Sequence, residues 1–353
     1  MSLEVTGDLV ELFCQIIDVE SVSGNEGHLA DLVEGALRGL PHLNVTRDGD
    51  TVIARTELGR AERVVIAGHL DTVPVADNLP SRLVDDRVYG RGSADMKGGV
   101  AVALACAAQL VEPTRDITWI FYDHEEVEAE LNSLNRIAAQ HPEWLAGDFA
   151  VLMEPTGAVV EGGCQGTLRC LVSTQGTAAH SARAWLGHNA IHDAGEVLNR
   201  LAAYSAREVV VEGLAYREGL NAVAISGGIA GNVIPDLCTV TVNFRFAPDR
   251  DEADAKAHCQ EVFDGFEVEF IDFAPAARPG LDRPIAVEFV QAVGGQPRAK
   301  YGWTDVARFS ALGMPAVNFG PADPGKAHAD DEFCPVADLF TCRDALLRWL
   351  TVS

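Results

Sequence analysis

Hydrophobic positions in the first part of the chain recur with two different spacings. Some segments place apolar residues at helical spacing, and short β-branched or aromatic runs lie between them. The predicted helices cover residues 8–17, 28–37, 98–110 and 131–139, and the predicted strands cover residues 51–54, 64–67, 117–122 and 149–153. Strands that alternate with helices are typical of an α/β sandwich, so we predict a mixed, mostly parallel sheet covered by helices.

The pattern changes at about Thr167 and changes back after the Pro- and Gly-rich stretch PAARPGLDRP. Between these points, the run TVTVNFRF at residues 239–246 alternates with period two, which is typical of an antiparallel strand with one solvent-exposed face. The other elements predicted in this region are strands at 168–173, 209–211 and 222–225 and helices at 189–204 and 251–263. After it, the first pattern returns with predicted helices at 285–292 and 339–350. We therefore predict a smaller α/β domain over residues 167–280, inserted into a domain formed by residues 1–166 and 281–353.

The composition narrows the classes of partner. The 353 residues include 52 acidic and 27 basic side chains, and the formal charge of −25 argues against a nucleic acid or an anionic membrane. No stretch reaches the roughly 20 apolar residues of a membrane span, and the N-terminal MSLEVTGDLVELF lacks the basic region of a signal peptide. The eight cysteines are scattered without a CxxC pair, which predicts free thiols in a cytoplasmic protein.

Histidines and carboxylates follow the predicted strands of the larger domain. The segment VVIAGHLDTVPV ends a buried strand with a histidine and an aspartate, and a pair of glutamates follows a later strand. Because the carboxyl ends of parallel strands meet at one edge of a sheet, we expect these side chains to collect in one cleft. With residues from two loops, the set is His69, Asp71, Asp95, Glu125, Glu126, Glu154 and His328.

Taken singly, each of these residues has an ordinary structural explanation, such as a helix cap or a solvated face. Secondary structure does not require them at several separate strand ends, whereas a metal site does. Imidazole and carboxylate ligands without paired cysteines suit zinc, cobalt or manganese, with zinc the commonest choice. The number of ligands suggests two ions. Asp95 would bridge them, His69 and Glu154 would complete one site, and Glu126 and His328 would complete the other.

Two carboxylates of the set are not needed as ligands. Asp71 lies two residues after His69, so a turn brings its carboxylate to the second imidazole nitrogen, where it fixes the tautomer. Glu125 stands beside a ligand, and a carboxylate held near a metal-bound water is what a general base requires.

The motifs HLDTVP, GRGSADMKGG, the Glu-Glu pair, MEPT and AHADDE together resemble the zinc aminoacylase/carboxypeptidase family of metallopeptidases, over nearly the whole chain. The resemblance implies the same ligands, the same roles for Asp71 and Glu125, and two Zn²⁺ per subunit, for which Co²⁺ or Mn²⁺ can substitute. It implies that residues 1–166 and 281–353 form the zinc-dependent catalytic domain. Residues 167–280 would then form a lid that also joins two subunits into a homodimer.

Several stretches are similar to one subgroup of this family: EGGCQGTLR, GTAAHSARAWLGHNAIH, GNVIPD, NFRFAPDR and YGWTDVARFSALGMPAVNFGP. This subgroup hydrolyses N-succinyl-LL-2,6-diaminopimelate to succinate and LL-2,6-diaminopimelate in lysine and diaminopimelate biosynthesis, so a small anionic N-acyl amino acid is the expected substrate. N-acetylornithine deacetylase and a zinc dipeptidase or carboxypeptidase remain alternatives with the same chemistry. A non-catalytic binding protein is disfavoured, because the base and the full ligand set are present.

The resemblance also assigns roles to residues outside the metal cluster. His180 corresponds to a histidine that reaches the active site of a partner subunit and helps to stabilise the oxyanion. Asn232, Arg245, Thr304 and Arg308 fall where the family binds substrate carboxylates. Because the expected substrate carries several carboxylates, the candidate counter-charges on this acidic protein are Arg183, Arg245, Arg308 and Lys326.

Three other histidines are weaker candidates for metal ligands. His124 stands between Asp123 and Glu125, where the family often has Asp directly before the acid pair, and we expect its side chain to point away from the site. His188 and His192 have helical i, i+4 spacing, but without a nearby set of carboxylates we interpret them as a pair on a surface helix.

Overall fold

The computed structural model describes residues 2–351, which form two compact units. The main unit contains residues 2–162, 279–298 and 308–351, and the inserted unit contains residues 163–278 and 299–307. The inserted unit therefore interrupts the main unit twice along the chain.

All helices predicted from apolar spacing are present, and polar caps set several of their starts. Asp8 accepts hydrogen bonds from the first turn of α1, Asn132 caps α4, and Asp251 and Asp254 form a capping box on α6. The α-helices of the described chain are α1 (Leu9–Ile17), α2 (Gly27–Arg38), α3 (Lys97–Gln109), α4 (Ser133–Gln140), α5 (Ala190–Ala202), α6 (Glu252–Val262), α7 (Pro284–Val293), α8 (Val306–Ala311) and α9 (Val336–Thr351). Short 3₁₀ segments cover Pro142–Trp144, Ser181–Leu186 and Pro324–Lys326.

The predicted strands are also present, together with shorter strands that the pattern does not predict. The strands of the described chain are β1 (Asn44–Asp48), β2 (Thr51–Arg55), β3 (Arg63–His69), β4 (Arg82–Val84), β5 (Arg87–Tyr89), β6 (Asp116–Tyr122), β7 (Phe149–Leu152), β8 (Glu161–Gly162), β9 (Gly166–Gln175), β10 (Ala179–His180), β11 (Glu208–Val211), β12 (Leu214–Arg217), β13 (Gly219–Gly227), β14 (Val233–Ile234), β15 (Leu237–Phe246), β16 (Glu267–Ala274), β17 (Arg298–Ala299), β18 (Ala316–Asn318) and β19 (Phe333–Pro335).

The main unit is built on a mixed sheet with the order β1-β2-β6-β3-β7-β18-β8-β17. The four central strands β6, β3, β7 and β18 are parallel, whereas β1, β2 and β8 join antiparallel. The central strands β6 and β7 are buried along their whole length, as expected of a parallel sheet with both faces covered. The carboxyl ends of β6, β3 and β7 therefore open at one edge of the sheet.

Helix α3 packs unusually close to the sheet at the carboxyl end of β7. A Cβ atom on Gly99 would lie 2.1 Å from the Met153 carbonyl oxygen, so only glycine allows this approach. The helix is buried from Lys97 to Ala107. This close contact brings the loop before α3, which carries Asp95, to the edge where β3, β6 and β7 end.

The inserted unit is an antiparallel sheet with helices on one face. Its strand order is β13-β15-β9-β16, and every pairing is antiparallel. Along β15, buried and partly exposed residues alternate from Cys238 to Phe246, as the period-two pattern predicts. The buried face packs against α5 and α6 through Val197, Ala255 and Cys259.

The structure shows the state of the cysteines and the apolar character of the helices. All eight cysteines are free thiols, and all except Cys14 are buried. Within residues 2–351, no helix has both the length and the apolar character needed to cross a membrane.

Candidate metal centre

The predicted ligands lie at the ends of three neighbouring strands and in two loops. His69 is the last residue of β3, Glu126 follows β6, and Glu154 follows β7, and β3 lies between the other two strands. Asp95 directly precedes the first turn of α3, and its peptide bond to Met96 is cis. His328 lies in the loop before β19 and has a positive φ of 65°.

The carboxylate of Asp95 lies between two imidazoles. Its Oδ1 is 3.2 Å from Nε2 of His69, and its Oδ2 is 3.5 Å from Nε2 of His328. Oε1 of Glu126 is 3.0 Å from the same nitrogen of His328. His69, Asp95 and Glu126 each offer a ligand atom, and these atoms all lie within 4.8 Å of one another. The structure therefore assembles four of the five predicted ligands, and Glu154 is buried at the same edge of the sheet.

The second nitrogen of His69 is held by Asp71. Nδ1 of His69 lies 2.9 Å from the backbone carbonyl oxygen of Asp71 and 3.5 Å from its carboxylate oxygen Oδ1. The nearer partner is thus the backbone carbonyl rather than the side chain. Both contacts favour a proton on Nδ1, which leaves Nε2 directed at Asp95.

The carboxylate of Asp71 has a further role that sequence spacing does not reveal. It accepts the backbone N–H groups of Glu125 and Glu126, each at 3.0 Å, and the hydroxyl of Ser23 at 2.7 Å. Asp71 is fully buried, so these bonds fix the loop that carries the acid pair. Contacts with His69 and the two N–H groups outweigh burial and lower the pKa of Asp71 to about 2.

The carboxylates raise the pKa of both imidazoles. Hydrogen bonds with Asp95 and Glu126 raise the pKa of His328 to about 10. Burial disfavours the charged form of His69, but Asp71 and Asp95 outweigh it and raise the pKa of His69 well above its ordinary value. The same contacts hold the pKa of Asp95 below its usual range despite its burial. In the cation-free protein, protons on the imidazoles therefore supply positive charge to this cluster.

The donor set fits a pair of divalent cations. It consists of imidazole nitrogens and carboxylate oxygens, which are the donors that zinc, cobalt and manganese share. The two oxygens of Asp95 face different histidines, which is the arrangement needed for one carboxylate to bridge two ions. Within residues 2–351, the group of potential ligands found by distance contains no cysteine.

The sequence did not predict two residues, Ser23 and Glu26, that form hydrogen bonds with Asp71 and with the backbone next to the acid pair. Glu26 is fully buried, and its Oε1 accepts the backbone N–H of His124 at 3.2 Å. Burial raises the pKa of Glu26. Ser23 and Glu26 both lie in the segment SVSGNE, directly before α2. No sequence signal marks them, because their partners His124 and Asp71 lie far away along the chain.

Two of the three weaker histidine candidates, His124 and His188, lie next to carboxylates outside the predicted ligand set. Nδ1 of His124 lies 2.8 Å from Asp123, with Glu26 at 3.5 Å. Nε2 of His188 lies 2.5 Å from Asp193 on an exposed face of the inserted unit.

The residues expected to bind substrate carboxylates are divided between the units. Arg308 belongs to the main unit and donates to Asn135 of α4. His180, Arg183, Asn232, Arg245 and Thr304 belong to the inserted unit. There the Ser181 N–H donates to the Asn232 carbonyl at 2.9 Å, which brings β10 and β14 together beside His180. Arg245 is partly buried on β15, and burial lowers the pKa of its guanidinium.

Uptake of divalent cations should release protons. The raised pKa values of His69 and His328 favour their protonated forms near neutral pH in the cation-free protein, whereas an imidazole that binds a metal ion must be deprotonated. We expect Zn²⁺ binding at neutral pH to release about two protons per chain. The affinity should rise with pH until the pKa of His328, about 10, is passed. Calorimetric titration in buffers of different ionisation enthalpy measures the number released.

A matched variant separates this effect from ordinary histidine titration. His188→Asn removes an exposed imidazole that is also paired with a carboxylate, and it should leave proton release unchanged, whereas His328→Asn should reduce it. Binding that releases no protons from the wild-type protein would contradict the assignment of these imidazoles as ligands.

The chain is similar in sequence and fold to known proteins. Residues 65–351 match the model of peptidase family M20/M25/M40. The chain is 54% identical over 351 residues to a putative succinyl-diaminopimelate desuccinylase DapE of Mycobacterium tuberculosis, covering 99% of each chain. It is 48% identical over 360 residues to the succinyl-diaminopimelate desuccinylase of Corynebacterium glutamicum, covering 99% of this chain and 98% of that protein.

A solved structure confirms the predicted fold class. A tripeptidase from Staphylococcus aureus superposes with a TM-score of 0.79 at 19% identity, covering 97% of this chain and 96% of that chain. The chain belongs to peptidase family M20/M25/M40.

Proposed function

We propose that this protein is a metal-dependent amidohydrolase that cleaves N-succinyl-LL-2,6-diaminopimelate to succinate and LL-2,6-diaminopimelate. The observation that carries the proposal is the Asp95 carboxylate held between His69 and His328. This centre occurs in a chain that is 48% identical over nearly its full length to a succinyl-diaminopimelate desuccinylase. The reaction belongs to the biosynthesis of lysine and diaminopimelate. Eight free thiols support a place in the reducing cytoplasm.

We propose that the centre holds two Zn²⁺, for which Co²⁺ or Mn²⁺ can substitute. His69 and Glu154 would hold one ion, Glu126 and His328 the other, and Asp95 both. Three carboxylates and two imidazoles supply the donors. When bound, a pair of such ions activates water and polarises the scissile carbonyl.

Glu125 is proposed as the general base. Its backbone N–H is held by Asp71 at 3.0 Å, and it lies next to the ligand Glu126 in the chain. Its carboxylate takes a proton from the attacking water as the oxygen adds to the amide carbon. It then gives this proton to the departing amine as the carbon–nitrogen bond breaks, so that it is regenerated as a carboxylate.

Substrate carboxylates need fixed positive charge on a protein with a formal charge of −25. We propose Arg183, Arg245 and Arg308 for this role because planar guanidinium groups bind carboxylates by paired hydrogen bonds. Asn232 and Thr304 would add neutral donors. His180, which is exposed at the end of β10, is proposed to donate to the developing oxyanion from a partner subunit.

The inserted unit is proposed to act as a lid and to join two copies of the chain. Strand β13 lies at the edge of its sheet, and Val223, Ile225 and Ile229 on and after it are 58%, 52% and 84% exposed. An exposed apolar edge strand can pair with the same strand of a second copy. A monomer in sedimentation measurements of the full chain would contradict this dimer.

Removal of the general base tests the proposed mechanism. Glu125→Gln keeps the size of the side chain but cannot accept the proton, so we expect kcat to fall by about 10²–10⁴-fold. Metal content should be unchanged, because Glu125 is not a ligand. The control is Glu128→Gln, which alters an exposed glutamate of the same loop and should leave kcat unchanged. Full activity of Glu125→Gln would contradict this mechanism.

The substrate is tested with a panel of amides. We expect kcat/KM for N-succinyl-LL-2,6-diaminopimelate to exceed that for N-acetylornithine and for dipeptides by at least about 100-fold, because unpaired charged groups in the pocket penalise the wrong acyl group. A chelator should abolish the activity, and added Zn²⁺ should restore it. A higher kcat/KM for N-acetylornithine or a dipeptide would reassign the substrate within the same chemistry.

A further inference from the structure

A buried ion pair between Arg91 and Glu332 lies directly behind the metal centre. Nη1 of Arg91 is 2.9 Å from Oε2 of Glu332, and the side chains are only 4% and 1% exposed. Buried charges are retained when they are paired and fully hydrogen-bonded.

The other oxygen of Glu332 binds the backbone that carries Asp95. Its Oε1 accepts the N–H of Ala94 at 2.8 Å and the N–H of Asp95 itself at 3.0 Å. The Glu332 carbonyl accepts the N–H of Gly90 at 3.2 Å, at the other end of the same loop. One residue thus fixes both ends of the loop that leads to the bridging carboxylate.

Glu332 also belongs to the loop that carries the second histidine ligand. It lies four residues after His328 and directly before β19, which pairs with β5. A rigid connection therefore runs from the backbone of Asp95 through the Glu332 side chain to the loop of His328. These are the residues whose side chains meet at 3.5 Å in the centre.

Arg91 extends the connection to the third loop. Its Nε donates to the carbonyl of Pro74 at 3.0 Å, and its Nη1 donates to the carbonyl of Ala329 at 3.3 Å. Pro74 lies three residues after Asp71, which holds His69, and Ala329 follows His328. The guanidinium therefore joins the loops of His69, Asp95 and His328, and its fork of donors allows three different acceptors at once.

We propose that Arg91 and Glu332 are positioning residues that set the spacing between the two cation sites. The inference rests on the proposed function, since it concerns cations held by Asp95. Neither residue touches substrate. They act by keeping Asp95 and His328 at the separation that two ions sharing one carboxylate require. Comparable groups behind metal ligands change metal affinity by about 10–100-fold when they are removed.

The test is a calorimetric titration of the cation-free protein with Zn²⁺ or Co²⁺. Glu332→Gln keeps an oxygen for the N–H groups of Ala94 and Asp95 but loses the charge that pairs with Arg91. We expect its dissociation constants for the cations to rise about 10–100-fold. At saturating cation, kcat should fall while KM for the substrate stays near the wild-type value, because no substrate contact changes.

Glu218→Gln is the matched control for the loss of a buried carboxylate. Glu218 in the inserted unit is also fully buried, and it accepts from Arg207 at 2.7 Å, Arg250 at 2.8 Å and the Ala247 N–H at 3.2 Å. Both variants should lower the thermal unfolding midpoint. Only Glu332→Gln should weaken cation binding, which a merely structural ion pair would not do.

The outcomes distinguish this inference from the proposed function. A folded Glu332→Gln protein with wild-type cation affinity would overturn the inference and leave the function intact. A wild-type protein that binds no cation would overturn both. If circular dichroism shows that Glu332→Gln does not fold, Arg91→Lys decides the question. This variant keeps the buried positive charge but lacks the forked guanidinium that reaches Pro74, Ala329 and Glu332. Its cation affinity should therefore also fall. An unchanged affinity would overturn the inference.

Discussion

The central interaction of this protein is a carboxylate that lies between two imidazoles. Asp95 presents one oxygen to His69 and the other to His328, and Glu126 shares His328 with it. His69 is buried and the Asp95 side chain is mostly buried, and buried carboxylates persist only when positive charge balances them. Protons on the imidazoles supply this charge in the cation-free chain, and divalent cations would supply it in the active enzyme. Metal binding therefore releases protons, because the bound cations replace the positive charge that the protons supplied.

The fold positions these side chains with a sheet and with loops that buried carboxylates hold by hydrogen bonds. Strand β3 fixes His69, and its neighbours β6 and β7 end at the same edge of the sheet. The other predicted ligands follow the strands or lie on loops, and buried carboxylates accept backbone N–H groups of two of these loops. Asp71 holds the acid pair in this way, and Glu332 holds the backbone of Asp95. A site whose supporting groups are themselves fixed needs little reorganisation when ligands bind.

The sequence predicted the chemistry of the ligands better than the groups that support them. Histidines and carboxylates stood out because they recur after several strands, and the structure brings the side chains of His69, Asp95, Glu126 and His328 together. Strand β18 was not predicted, because its three residues, Ala316–Asn318, are too short to show a period. Glu26, Arg91 and Glu332 were missed for a different reason. Their partners are largely backbone groups brought together from distant loops, and residue type alone does not record those contacts.

Anomalous diffraction from crystals of the zinc-loaded protein would locate the bound ions and their ligands. We expect two zinc peaks per chain, about 3.5–4 Å apart. One oxygen of Asp95 should lie about 2.0–2.2 Å from each ion, with His69 on one side and His328 on the other. A single peak, or two ions that do not share Asp95, would contradict this expectation.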